Sequence, residues 1–155
     1  MKALIEITHE PLNPEQITNQ VRQYGNGAVV TFLGTTRDSF EGKRVLKLDY
    51  EAYEDMALKK MEEIRQEICA EFGIADLAIS HRIGTVDIGQ ISLVVAVASP
   101  HRKEAFYACN KVVDRVKEIV PIWKKEVFED GYRWVACEDH EFTHTEAAVL
   151  NTDND

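Results

Sequence analysis

Two lysines, Lys117 and Lys124, stand where an amine could be put to chemical use. Lys117 follows Val113 by four residues, so on a helix it borders the apolar stripe instead of facing straight to solvent. A lysine on such a border either snorkels, with its stem on the core and its ammonium in water, or is partly desolvated. Desolvation lowers its pKa and makes the amine a better nucleophile or proton carrier. Lys124 lies in Pro121-Ile122-Trp123-Lys124-Lys125-Glu126. If that stretch is extended, Lys124 and Lys125 face opposite sides, and only one of them joins a given site. Two neighbouring cations depress each other's pKa, a recognised route to an activated lysine.

Candidate anion contacts lie nearby in the chain. Ser99-Pro100-His101-Arg102 comes where a buried strand gives way to a helix start. Unpaired amides and the positive end of the helix dipole favour an anion there, and His101 and Arg102 would add charge-assisted donors for phosphate or carboxylate. An ordinary helix start with exposed polar side chains produces the same pattern. Arg37 follows a strand and a glycine, a geometry that presents a side chain at a sheet edge or leaves it on a solvated loop. Phe32, in that strand, reads as core. Cys69 and Cys109 fall on or beside helical apolar faces, where free cysteine behaves as a small hydrophobe. Cys137, His140 and His144 have the spacing C-x2-H-x3-H, part of a zinc pattern, but no fourth ligand and no C-x2-C half accompany them, and no metal is expected. No GxGxxG, Walker, HExxH or GxSxG pattern occurs.

The elements that must position these residues follow from periodicity and punctuation. Lys2–Thr8 alternates as a strand. Asn13, Pro14 and Gln16 read as N-cap, N1 proline and capping-box partner of a short helix with Ile17, Val21 and Tyr24 on one face, stopped by Gly25. Ala28–Leu33 is a continuous apolar run, read as a buried strand, followed by a polar loop through Gly42. Val45–Tyr53 alternates as a strand with Leu46, Leu48, Tyr50 and Ala52 on one face. Glu54–Phe72 predicts a helix with Ala57, Met61, Ile64, Ile68 and Phe72 in its stripe and Gly73 as its stop. Leu77–Arg82 and Ile91–Ala98 are strands joined through Gly84 and Gly89. Ser99-Pro100 opens a second long helix as N-cap and N1, with Phe106, Cys109, Val113, Val116 and Val120 as its stripe, ended by Pro121. Ile122–Phe128 and Tyr132–Ala136 form a closing hairpin around Gly131. Paired strands between single helices indicate an α+β layer structure.

The chain has 155 residues, which points to one domain, residues 1–137, with an acidic and flexible tail at 138–155. Its net charge is −9, an unfavourable balance for nucleic acid or an anionic membrane surface. Its apolar runs are too short to span a bilayer. Three widely spaced cysteines suit a reducing cytoplasm. Charge is uneven: from Ser99 to Glu126, seven cations against four anions leave +3, and the remainder carries −12. A local cationic island on an acidic chain suits a small anion, or is simply a solvated helix face.

Four segments in order, Gly27-Ala28-Val29-Val30-Thr31-Phe32-Leu33-Gly34-Thr35-Thr36-Arg37, His81-Arg82-Ile83-Gly84, Ser99-Pro100-His101-Arg102 and Pro121-Ile122-Trp123-Lys124-Lys125-Glu126, resemble the large, catalytic subunit of molybdopterin synthase. The resemblance spans roughly Gly27 to Val135. It implies an α/β-hammerhead fold, with helices packed on mixed and antiparallel sheets, and a homodimer within a heterotetramer. Each large subunit would receive the Gly-Gly tail of a small, ubiquitin-like sulfur carrier. Sulfur would pass from the carrier's thiocarboxylate to cyclic pyranopterin monophosphate, forming a dithiolene, with no cofactor required. Lys117 and Lys124 match the family's catalytic lysines. Arg37, His101 and Arg102 match residues lining the pocket for the pterin and carrier tail, and Phe32 matches a pocket wall. The family can also carry an arginine after its Arg-Trp-Val-like segment that completes a neighbouring protomer's pocket, whereas here Arg133-Trp134-Val135 runs into Ala136, Cys137 and Glu138. Two other readings stand beside this one. One is a non-enzymatic α+β module binding an anionic metabolite or a protein; the other is a sulfurtransferase carrying persulfide on Cys109 or Cys137.

Overall fold

A computed structural model describes residues 4–136, so the expected tail and the Cys137, His140 and His144 pattern lie outside the described residues. Twelve elements follow in the order β1 (Ile5–Thr8), α1 (Pro14–Val21), β2 (Ala28–Thr35), β3 (Ser39–Phe40), β4 (Lys43–Ala52), α2 (Glu54–Phe72), β5 (Leu77–Arg82), β6 (Gly84–Asp87), β7 (Ile91–Ser99), α3 (Arg102–Ile119), β8 (Ile122–Phe128) and β9 (Gly131–Val135). One sheet has the order β1-β5-β7-β2; β1 and β5 are parallel and the other pairs antiparallel. The second is antiparallel, β3-β4-β8-β9, with β6 also paired to β4. This is the α+β, hammerhead-type arrangement expected, with helices on a mixed sheet and hairpins building the second one.

The first sheet is covered on both faces, which explains the unbroken apolar run of β7. Leu93, Val95 and Val97 face α2 and α3 and join Met61, Ile64, Ile68, Ala108 and Val112 in the main core. Val94, Ala96 and Ala98 point the other way, onto Ile17 and Val21 of α1. α1 is capped as expected, the Asn13 side chain accepting from the Gln16 amide at 3.1 Å. It ends at Val21, before Gly25, and Tyr24 is fully exposed. α1 has only eight residues and leaves part of β2 uncovered. Val29 and Leu33 are therefore exposed, and β2 is an edge strand half-buried on the one face that carries Ala28, Val30 and Phe32, not a strand buried on two. α2 matches its expected span, and Gly73 stops it with φ 65°, a left-handed backbone that favours glycine.

Four further expectations are corrected. The loop after Arg37 contains β3, and the segment holding Gly84 contains β6, both recruited by β4. In β4 a bulge between Val45 and Lys47 shifts the alternation, so Val45 and Leu48 are buried and Leu46 is exposed. The third helix starts at Arg102, not at Pro100. His101 is its N-cap residue in extended backbone, and the Ser99 hydroxyl donates to the His101 carbonyl instead of capping an amide. With that start, Ala105, Ala108, Cys109, Val112 and Val116 form the buried face and Phe106 is exposed.

Candidate active site

A cavity of about 150 Å³ opens where the two sheets meet beside the end of α3. Phe32 and Gly34 of β2 form one side. A bulge between Gly34 and Thr35 turns the strand end, and Arg37 follows it to the rim. Gly34 keeps the space open: a Cβ there would meet the Phe32 ring at 3.3 Å and Leu93 at 3.4 Å. α3 brings Lys117 in its last turn, where the negative end of the helix dipole favours a cation. β8 brings Lys124, and Pro121 lets the chain pass from helix to strand so that the two lysines line the same space. Lys125, one residue on, lies over the Tyr132 ring at 4.5 Å, and so takes the opposite face as alternation requires.

Glu126 shares Lys124's face two residues further along. Its carboxylate accepts from Arg133 Nε at 2.6 Å and lies 3.9 Å from Lys124 Nζ. Arg133 in turn stacks on the Phe40 ring, 3.9 Å from its centroid. Both members of this ion pair are buried, so each needs the other. The cavity wall also carries His81 and Tyr50, whose rings meet edge to face with centroids 5.0 Å apart. His81 Nδ1 lies 2.7 Å from the Arg82 carbonyl oxygen. Burial pulls the His81 pKa down to about 4; the Arg82 hydrogen bond opposes this, and the charges of Lys117 and Lys124 add to it. Burial also raises the Tyr50 hydroxyl, with a hydrogen bond to Ser92 working against it and the Glu126 charge with it.

Of the sequence-predicted residues, Phe32, Arg37, Lys117 and Lys124 thus line one cavity. His101 and Arg102 do not border it. Both are exposed, on a shallow depression with Gly27, Pro100, Lys103 and Glu104 at the start of α3. The spacing alone assigns no role to Tyr50, His81 or Glu126. For Glu126 the period-2 relation to Lys124 is the available signal; His81 stands in one of the four segments that carry the family resemblance but has no spacing to the lysines, and Tyr50 has neither, because their strands reach the cavity only through sheet packing. Cys109 is buried with its thiol toward the Val95 carbonyl, and burial pushes its pKa up to about 11. That is the opposite of what a persulfide carrier requires. Cys69 is raised as well, chiefly by burial. Among the described residues, no cluster of His, Cys, Asp and Glu could hold a metal ion.

The arrangement gathers two lysines and an arginine around a space walled by an aromatic ring and bounded by one committed carboxylate. It can hold a small anion and stabilise negative charge that develops during reaction. The chain as a whole is similar to known proteins. The family model described as MoaE protein matches residues 7–119. The molybdopterin synthase catalytic subunit of Bacillus subtilis is 48% identical over 130 residues, covering 84% of this chain and 83% of that one. Its counterpart in Halalkalibacterium halodurans is 44% identical over 142 residues, covering 92% and 91%. The crystal structure of molybdopterin synthase from Staphylococcus aureus superposes with a TM-score of 0.84 at 42% identity, covering 87% of this chain and 98% of that one. With a family model matched over most of its length and relatives of near-equal extent, this chain belongs to the MoaE protein family, that of the molybdopterin synthase catalytic subunits.

Proposed function

We propose that this protein is the sulfur-transferring subunit of a molybdopterin synthase. It would take sulfur from the thiocarboxylated Gly-Gly terminus of a small ubiquitin-like carrier and deliver it to cyclic pyranopterin monophosphate, building the dithiolene. The observation that carries this reading is the convergence of Lys117 and Lys124, from different elements, on one cavity with Arg37 and Phe32. Both reactants are anions, a phosphate ester and a thiocarboxylate, and fixed cations hold them together at the distance reaction needs. The thiocarboxylate sulfur bonds to an oxygen-bearing carbon of the pterin side chain; the C–O bond at that carbon breaks, its oxygen leaves as water or as a phosphate oxygen, and a thioester remains. Water then cleaves the acyl–sulfur bond, returning the carrier as a carboxylate and leaving sulfur on the pterin. Oxyanionic charge develops at the acyl carbon in that step. Lys117 polarises the carrier's terminal carbonyl, Lys124 gives or takes a proton at the substrate, and Arg37 holds phosphate.

His101 and Arg102 lie on a separate depression. A part for them in phosphate binding therefore requires the homodimer that the family resemblance implies, with a second copy bringing its pair toward the first copy's cavity. The β8–β9 hairpin is a wall for the extended carrier tail, where backbone pairing supplies affinity. None of the described helices is long and apolar enough to cross a membrane, and the reading places the reaction in the cytoplasm. The test is a defined mixture of this protein, thiocarboxylated carrier and pterin, with dithiolene product read by mass. Product formation by the wild-type chain and its loss in Lys117→Ala and Lys124→Ala, both folded, support the reading. A folded chain that binds carrier and forms no product overturns it.

A further inference from the structure

No step above uses His81, although its ring is buried on the wall of the cavity that holds both lysines. Its surroundings define its chemical state. The Arg82 carbonyl can only accept, so the contact of 2.7 Å places the hydrogen on Nδ1. In a neutral ring Nε2 is then a lone-pair acceptor. On the neighbouring strands its register partners are apolar, Ile7 on β1 and Leu93 on β7. The titratable and charged groups lining the same cavity are Lys117 from α3, Lys124 and Glu126 from β8, Tyr50 from β4 and Arg37 after β2, with the hydroxyls of Thr35, Ser39 and Ser92 beside them. Glu126 is already engaged with Arg133, and the Tyr50 ring sets the plane of the imidazole edge to face. Two ammonium groups beside the ring disfavour a third cation there, and burial acts in the same direction.

We propose that His81 is a positioning residue of this site, its Nε2 lone pair giving the Lys117–Lys124 pair an uncharged hydrogen-bond acceptor inside the cavity. A carboxylate in that place would also anchor an ammonium, but it would cancel the positive charge that two anionic reactants need. A neutral imidazole orients the donor and leaves the charge intact. The inference deepens the sulfur-transfer reading and rests on it only for the consequence to activity.

The test therefore begins with the protein alone. In wild-type protein labelled with nitrogen-15 histidine, long-range proton–nitrogen spectra should show His81 as the neutral Nδ1–H tautomer at pH 7. An Nε2–H tautomer or a cation would overturn the proposal. In protein with labelled lysine side chains, His81→Phe keeps the ring but removes the acceptor, so the charged form of a lysine loses a partner. The titration midpoint of Lys117 or Lys124 should fall by about 1 on the pH scale, and His81→Gln, which restores an acceptor near the Nε2 position, should return it. Unchanged midpoints in folded His81→Phe would sink the idea. In single-turnover sulfur transfer, His81→Phe should be about tenfold slower, with the basic limb of its pH profile displaced along with the lysine midpoint, and His81→Gln should recover both. A wild-type chain that transfers no sulfur would overturn the functional reading and leave the lysine titration to decide His81 by itself.

Discussion

Lys117 and Lys124 are half-buried side chains on separate elements, and their removal should act on chemistry more than on folding. Each Lys→Ala change is expected to lower single-turnover dithiolene formation by about 100-fold or more, with circular dichroism and thermal midpoint close to wild type. Glu126 and Arg133 behave oppositely. Their contact of 2.6 Å is buried on both sides, so Arg133→Met strands a carboxylate and should destabilise the fold by about 3–5 kcal/mol, read from urea unfolding. His81 adds a pH dependence with a definite sign. Its pKa is about 4 in the folded chain against an ordinary 6.5, so between those values the unfolded chain binds a proton that the native chain does not. Stability therefore falls as pH drops through that window, by about 3 kcal/mol in total. Urea midpoints measured from pH 7 to pH 4 should decline less steeply in His81→Phe than in wild type.

At the scale of elements, the helices show which contacts matter. Ile68 of α2 is fully buried against the sheet and α3, and Ile68→Ala should destabilise by about 2–5 kcal/mol. Across the outer surface of the same two helices, Arg115 pairs with Glu67 at 3.0 Å and Lys111 with Glu71 at 2.7 Å. These pairs are solvent-exposed, and Arg115→Ala should change stability by no more than about 1 kcal/mol. The comparison separates packing from surface charge within one helix pair. Local signals placed these elements well where the signal was local. Asn13 caps α1 and Gly73 ends α2 because each acts on its own backbone. The start of α3 was displaced because Ser99 found a carbonyl and His101 stayed extended, an outcome that depends on how β7 hands the chain over. β3 and β6 exist because β4 offers them an edge, which nothing in their own few residues announces.

For the whole molecule, a net charge of −9 stands against a cavity lined by two lysines and an arginine. The attraction for an anionic substrate is thus local and screened by salt. The KM for cyclic pyranopterin monophosphate should rise between 50 mM and about 500 mM salt, by more than kcat changes, as steady-state kinetics would show. Every described element lies between Ile5 and Val135, and we propose that residues 1–137 make up the folding unit. A chain ending at residue 137 should keep the thermal midpoint of the full chain, and a large drop would refute that boundary.

The order of the three helices and of every strand but β3 and β6, the two lysines and the cationic stretch around them were legible in the sequence. Periodicity, capping and charge are properties of neighbouring residues, and four separated segments together were enough to suggest the family. Tertiary structure alone decided which of those residues meet. Lys117 and Lys124 share a cavity with Arg37 and Phe32 because α3 ends against the junction of the two sheets. His101 and Arg102, the N-cap and first residue of that helix, sit at its far end and stay apart, since the helix is 18 residues long. His81 and Tyr50 enter only because strands distant in sequence converge there, and that convergence depends on sheet order, which no local pattern encodes.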